Sequence, residues 1–268
     1  MNKVNSTTSY FSITTLVVIS LFFTNQIKAD TKFFARSYTA YTLPAKALEL
    51  EFWQTGRFDK GPGNYYRWQP RMEVEYGVTD RLTASMYLNF NEVKSTGNNI
   101  PSQPLSLSTT SFEFRYRLTN PSEYLIDPAL YFELSYGGDK IEYEPKILFT
   151  KRFEKFISVM NINSEIERDI AGKETESAFE LTLGLAYELN KNFSIGLEFR
   201  NDRNFKEVYE KEKNQASFVG PTISFQSDRI YFVVNFLTQV GGSPATNNNL
   251  ELSSHEKYEI RTILGVGL

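Results

Sequence analysis

Apolar and polar residues alternate one by one over long stretches of this chain. In FELTLGLAYELNKNFSIGLEFRND, residues 179–202, Phe179, Leu181, Leu183, Leu185 and Tyr187 alternate with Glu180, Thr182, Gly184, Ala186 and Glu188. Successive side chains of a strand leave opposite faces, so this is a strand with one apolar face. After Asn190-Lys191-Asn192 the pattern restarts, with Phe193, Ile195, Leu197 and Phe199 set against Ser194, Gly196, Glu198 and Arg200. The two strands form a hairpin whose apolar face must meet either a protein core or lipid.

The same pattern recurs along the chain. Leu48, Leu50 and Phe52 oppose Glu49, Glu51 and Trp53, and Met72, Val74 and Tyr76 oppose Arg71, Glu73 and Glu75. Leu82, Ala84, Met86, Leu88 and Phe90 follow a tight turn at residues 79–81. Phe112, Phe114, Tyr116 and Leu118 oppose Glu113, Arg115 and Arg117, while Leu130, Phe132, Leu134 and Tyr136 oppose Tyr131, Glu133 and Ser135. Residues 143–151 and 156–166 form a less regular pair, interrupted by Pro145 and Asn161. Strands at 217–226, 230–240 and 257–268 bring the expected number to twelve.

Connections after odd strands read as long and polar (55–69, 91–109, 167–177, 201–216 and 241–256), with 137–142 the short exception. Those after even strands read as brief: 78–81, 119–127, 153–155, 190–192 and 226–229. An even strand number, long loops on one side and short turns on the other predict an all-β fold, a transmembrane antiparallel up-and-down barrel with both termini periplasmic. Strands of about 9 to 11 residues suit a tilted membrane crossing. A soluble sandwich is the competing reading of the alternation. The near absence of charge on the apolar face favours lipid.

The front of the chain agrees with export. Lys3 precedes an apolar, hydroxyl-rich run from Phe11 to Phe23, and Ile27-Lys28-Ala29 offers a cleavage site, so residues 1–29 read as a cleaved signal peptide and 30–268 as the barrel domain. Aromatic residues make up 15% of the 268-residue chain, which favours sheet, and there is no cysteine, so no disulfide supports an exported fold. Removing Lys3 and Lys28 takes the net charge from −3 to −5, and no nucleic-acid partner is indicated.

The segments at 47–90, ALELEFWQTGRFDKGPGNYYRWQPRMEVEYGVTDRLTASMYLNF, and 250–268, LELSSHEKYEIRTILGVGL, resemble an uncharacterised family of Gram-negative outer-membrane barrels, a domain of unknown function. The resemblance implies an outer-membrane location, contact with lipid and lipopolysaccharide, and delivery by the barrel-assembly machinery through the C-terminal strand. It brings no catalytic motif. Leu268 departs from the aromatic residue on which such barrels usually end, although Tyr258, Ile260, Thr262, Leu264, Val266 and Leu268 keep the alternation.

Chemistry beyond the lumen is thinly signalled. The one histidine, His255, follows Ser253 and Ser254 in a polar stretch, where neighbours along a loop rarely meet as nucleophile and base. It reads as a solvated loop side chain, and no enzymatic activity is expected. Asp59, Asp127 and Asp139 lie outside any calcium-loop pattern, so no metal or cofactor is expected. Tyr65, Tyr66 and Trp68 read as interfacial girdle residues, or as a surface contact on the first loop.

Function is therefore expected inside the barrel. Parity turns Glu49, Glu51, Arg71, Glu73, Glu75, Glu113, Arg115, Arg117, Glu133, Glu180, Glu198, Arg200, Glu259 and Arg261 inward, with Arg81, Glu144, Lys146 and Glu188. These charges either line a narrow passive channel for small hydrophilic solutes or pair into a plug that leaves a structural or surface-interaction barrel. Twelve strands fall between filled and hollow barrels, so size leaves both open, and a lipid-acting enzyme is a minor third reading.

Overall fold

The computed structural model describes residues 32–268 except Asn98 and Lys173. The expected signal peptide lies outside the described residues. The strands are β1 (Leu48–Phe58), β2 (Asn64–Thr79), β3 (Leu82–Thr96), β4 (Gln103–Arg117), β5 (Asp127–Gly137) and β6 (Lys140–Phe153). They continue as β7 (Phe156–Asp169), β8 (Thr175–Glu188), β9 (Phe193–Lys206), β10 (Lys211–Gln226), β11 (Ile230–Ser243) and β12 (Tyr258–Gly267). Each pairs antiparallel with its neighbours in sequence, and β1 pairs with β12 from Glu49 opposite Gly267 to Phe58 opposite Tyr258. Closure leaves no unpaired edge, as an aprotic surrounding demands.

The two faces separate as the alternation predicts. Leu183, Leu185, Phe193, Ile195 and Leu197 are exposed on the outside, as are Met72, Met86, Phe112, Phe132 and Leu264 around the barrel. Thr182, Ser194, Glu198 and Arg200 are buried on the inside. An apolar outer belt around a charged interior is the arrangement that hydrocarbon imposes, since lipid offers no hydrogen bonds.

The loops differ from the sequence reading. Strands run to as many as 16 residues, so most of the stretches read as long loops are strand, and the connections shrink to 59–63, 97–102, 138–139, 170–174 and 207–210. Only 244–257 stays long at that end, while 118–126 is the longest at the other. Apolar alternation fades where strands leave the belt, because the ladder continues with a polar outer face. Tyr65, Tyr66 and Trp68 accordingly sit on β2 and not in a loop: Tyr65 is buried, and Tyr66 packs on Phe58 at 5.2 Å between ring centroids.

Residues 32–47, for which alternation predicts nothing, run inside the barrel. Phe33 and Phe34 are buried against the inward Ile157, Val159 and Ala186. Gly184 provides the seat, since a Cβ there would lie 2.7 Å from the Phe34 ring. Tyr38 reaches the middle, 6.4 Å from Trp53 and 5.4 Å from Tyr131 between ring centroids. The chain then reaches the end where β1 starts and β12 finishes, where Lys46 donates to the Gly77 carbonyl at 2.7 Å and Ala45 to Asp80 at 2.9 Å.

The outer face generates a direct test. Leu183→Arg places a charge on the belt in the middle of β8 and should cost about 2–4 kcal/mol of folding stability in bilayers, while Leu183→Phe should cost little. Equal denaturant midpoints for the two variants would remove lipid from that face.

Candidate functional site

The interior site begins at Glu198 on β9. Its carboxylate accepts the backbone N–H groups of Ala35 (3.0 Å), Arg36 (2.8 Å) and Ser37 (2.8 Å), and the amide of Asn235 (2.9 Å). Three successive N–H groups converging on one anion form a nest, which fixes the tip of the inner segment. Asn161, read from the sequence as an interruption, faces inward in step with Asn163 on β7 and completes the hold. Its Oδ1 accepts from Tyr38 N at 2.7 Å and its Nδ2 donates to Tyr38 O at 2.9 Å. Thr150 and Thr83 accept from Ala40 N (2.7 Å) and Leu43 N (2.9 Å). Four strands thus supply side chains in place of the ladder partners that this backbone lacks.

Cations of the segment meet acids of the wall. Lys32 is ion-paired to Glu51 and lies 4.7 Å from the centre of the Trp53 ring. Glu51 also accepts from the Trp53 indole at 2.5 Å and from the Tyr231 hydroxyl, whose oxygen is 2.8 Å from Glu49. Arg36 pairs with Glu180 and lies 4.0 Å from Glu259. Buried pairs like these roughly offset their own desolvation, but removing one member leaves a stranded charge.

The wall charges also pair among themselves. Arg115 reaches Glu113 at 2.9 Å and Glu75 at 3.3 Å, and Arg200 reaches Glu259 and Glu256, each at 3.1 Å. Arg71 stands 3.9 Å from Glu73 and faces the Tyr87 ring at 4.1 Å, while Arg261 donates to Thr55 at 2.9 Å. Glu133 accepts from Tyr131 (2.7 Å) and Ser135 (2.9 Å). Arg117, in contrast, donates to the Asp80 carbonyl (2.9 Å) near the rim, and Arg81, turned inward by parity, is exposed on a turn.

Carboxylate oxygens of Glu73, Glu75 and Glu113 approach within 4.8 Å, as do those of Glu49, Glu51 and Glu75 and those of Glu133, Glu142 and Glu144. Arg115, Lys32 and Lys146 supply cations at the three groups, through Glu75 and Glu113, Glu51, and Glu144 at 3.2 Å.

His255 is buried, against the expectation of a solvated side chain, because residues 244–257 fold into the barrel mouth. Its Nε2 lies 2.8 Å from Asn214 Oδ1 and 3.3 Å from Asn204 Nδ2, and Nδ1 lies 3.8 Å from Asp202. Burial pushes the imidazole below its ordinary value, against the pull of Asp202, Glu256 and Glu251. Ser253 donates to Glu251, and the Ser254 hydroxyl accepts from Asn214 at 3.0 Å, so neither serine is set against the ring as a nucleophile.

At the end where β1 finishes and β12 begins, the interior opens into adjoining cavities that share lining residues. One of about 350 Å³ includes Glu165, Asn204, Lys213 and Asn214 in its lining. A second of about 300 Å³ shares Glu165 and Asn204 with it and adds Arg36, Arg57, Arg67, Glu180 and Asp202. A third of about 90 Å³ shares Arg36, Glu144 and Glu180 with the second and ends on Tyr38. The inner segment therefore forms the floor of the chamber. Asp202, Glu165 and Arg57 were missed in the sequence although each continues the inward parity of its strand, from Arg200, Asn163 and Thr55. Lys32 and Arg36 sit in a segment without alternation, where parity carries no information.

The match to a family model over residues 26–268 shows that the chain belongs to the family of unknown function DUF6662. No curated protein matches the chain at a significant level. Among solved structures, the chain resembles the COG4313 outer membrane channel from Pseudomonas putida F1 at 11% identity and a TM-score of 0.63, covering 85% of this chain and 98% of that one. It also resembles the NanC porin (12% identity, TM-score 0.54, 83% and 100% covered). A third is the KdgM porin in complex with disordered oligogalacturonate (11%, 0.52, 82% and 99%). At these identities the likeness establishes the fold, that of outer-membrane β-barrels.

The nest at Glu198 can be tested by proteolysis. Glu198→Gln replaces an anion that accepts four hydrogen bonds with an amide, and bonds to a charged group are worth about 1.5–3 kcal/mol each. The variant should be cut by trypsin after Arg36 in detergent micelles while the parent chain resists. Equal resistance of both would show that the nest does not hold the segment.

Proposed function

We propose that this protein is an outer-membrane channel for small hydrophilic solutes with a charged lumen, and that residues 32–47 are its gate. The observation that carries this reading is the series of adjoining cavities, sharing lining residues, from one mouth to Tyr38, where the chain's own segment meets it. Side chains and not ladder hydrogen bonds hold residues 32–45 of that segment, and backbone bonding to the sheet begins only at Lys46, so the part inside the lumen can leave without opening the sheet. The fold shared with channels and porins supports a conduit within the same architecture. Both termini lie on the periplasmic side in this reading, and the cavity mouth is external. The C-terminal strand engages the assembly machinery, and the apolar belt and outer rim meet lipid and lipopolysaccharide.

The same segment favours a second reading, a permanently plugged barrel with a structural or surface role. Conductance separates the two. The second cavity has five acids (Glu144, Glu165, Glu180, Asp202 and Glu256) and three arginines (Arg36, Arg57 and Arg67) in its lining, a balance of 3 − 5 = −2. A channel should therefore give discrete steps in planar bilayers with a modest cation preference. That preference should shrink as the Debye length falls from about 10 Å at 0.1 M salt to about 3 Å at 1 M. Glu198→Gln should raise the open fraction. Silence of both the parent chain and this variant would select the plug.

Orientation has its own test. A cysteine replacing Asn99, exposed at the cavity end, should react with an impermeant maleimide on intact cells, and one replacing Lys191, exposed in the turn after β8, should not. The opposite labelling would invert the barrel.

A further inference from the structure

Two walls of the second cavity carry opposite chemistry. On one side, β7 and β9 present acceptors: the carboxylates of Glu165 and Asp202, and Asn163. Asn163 is only 6% exposed, its Nδ2 donates to Glu144 at 2.6 Å, and its Oδ1 has no hydrogen-bond partner. Among the described residues no lysine or arginine forms an ion pair with Glu165 or Asp202; His255 stands 3.8 Å from Asp202, while Arg200 and Arg36 attract it from farther off and are themselves paired to other acids. This wall holds two carboxyl groups without a contacting lysine or arginine and a buried acceptor without a donor. Unpaired buried acceptors are costly unless something donates to them.

On the other side, β1 and β2 bring Arg57 and Arg67 to the same cavity. Arg57 is committed to Glu259 (3.1 Å) and Glu256 (3.4 Å). Arg67 is different: its Nε donates to the neutral Asn91 at 2.6 Å, and no carboxylate pairs with it among the described residues. A guanidinium in that state offers a planar fork that fits a carboxylate with two parallel hydrogen bonds. The floor between the walls is closed by the Arg36–Glu180 pair.

We infer that this chamber is a binding site for small zwitterions, molecules of the amino-acid and short-peptide class. Their ammonium group meets Asn163, Glu165 and Asp202, and their carboxylate meets Arg67. An ammonium has three donors and no acceptor, matching a wall that offers only acceptors. A solute of one sign satisfies one wall and is repelled by the other, whereas a zwitterion aligned across the chamber satisfies both. The volume of about 300 Å³ is at the lower end of small-molecule sites, which span about 300–1,000 Å³. The inference rests on the channel reading for its purpose, since it names what the mouth selects, but the binding itself does not require conduction.

Calorimetry on the purified full-length barrel tests it with three probes: triglycine, N-acetyltriglycine and triglycine amide. Triglycine should bind saturably, and blocking either end should weaken binding by about tenfold or more, as expected for the loss of a hydrogen-bonded charge. Arg67→Gln should weaken triglycine about tenfold and leave triglycine amide unchanged, and Glu165→Gln should weaken triglycine and leave the acetylated form unchanged. These pairings survive any general loosening of the fold, because each variant is compared across probes. Equal affinity for all three probes, or no saturable heat with triglycine, overturns the site. Binding with the expected pattern in a barrel that never conducts keeps the site and sinks the channel. Conduction without discrimination among the probes does the reverse.

Discussion

A single closed sheet in lipid has one place to put its polar groups, and that is inside. Hydrocarbon accepts no hydrogen bonds, so each inward Glu and Arg must find its partner within the barrel. Twelve strands enclose more space than their own side chains close off, and residues 32–47 fill part of the difference. Lys32 and Arg36 neutralise wall acids, Glu198 gathers three backbone donors of the segment, and Tyr38 sits among Trp53, Tyr131 and the cations of Arg115 and Lys146. The filled part is dense and paired. The rest holds the cavities.

That division underlies the channel proposed for the molecule. At the filled end, apolar contacts such as Phe33 and Phe34 on Ile157 and Val159 combine with hydrogen bonds made by side chains. None of these belongs to the sheet ladder, which the chain joins only from Lys46 onward. At the open end, acids on β7 and β9 face arginines on β1 and β2 across an aqueous space. In the proposed channel, a polarised chamber above a floor made by the inner segment would give selective entry followed by gated passage.

The barrel was legible because period-two alternation survives wherever lipid requires it. Leu183, Phe132 and Met86 are outward, and Glu113, Glu198 and Glu259 inward, as their positions in the sequence predict. Loop lengths were misread for the complementary reason: outside the belt no apolar face is demanded, and polar strand resembles polar loop. The inner segment left a fainter trace. Ile157, Val159, Leu148, Val233 and Ile263 are apolar at inward positions, which a purely aqueous lumen does not explain and a segment packed inside does. The burial of His255 had no local signal, because it depends on how residues 244–257 fold back into the mouth.

The account stands on the inner segment being a gate, and the absence of native cysteine allows a clean test. Ala40 N lies 2.7 Å from the Thr150 hydroxyl, so Ala40→Cys with Thr150→Cys places two thiols where the segment meets β6. Single-channel recording of the oxidised double variant should show the barrel silent, with steps returning on reduction. Steps of the same size and frequency in the oxidised and reduced states would contradict the gate and place the path of conduction beside a segment that never moves.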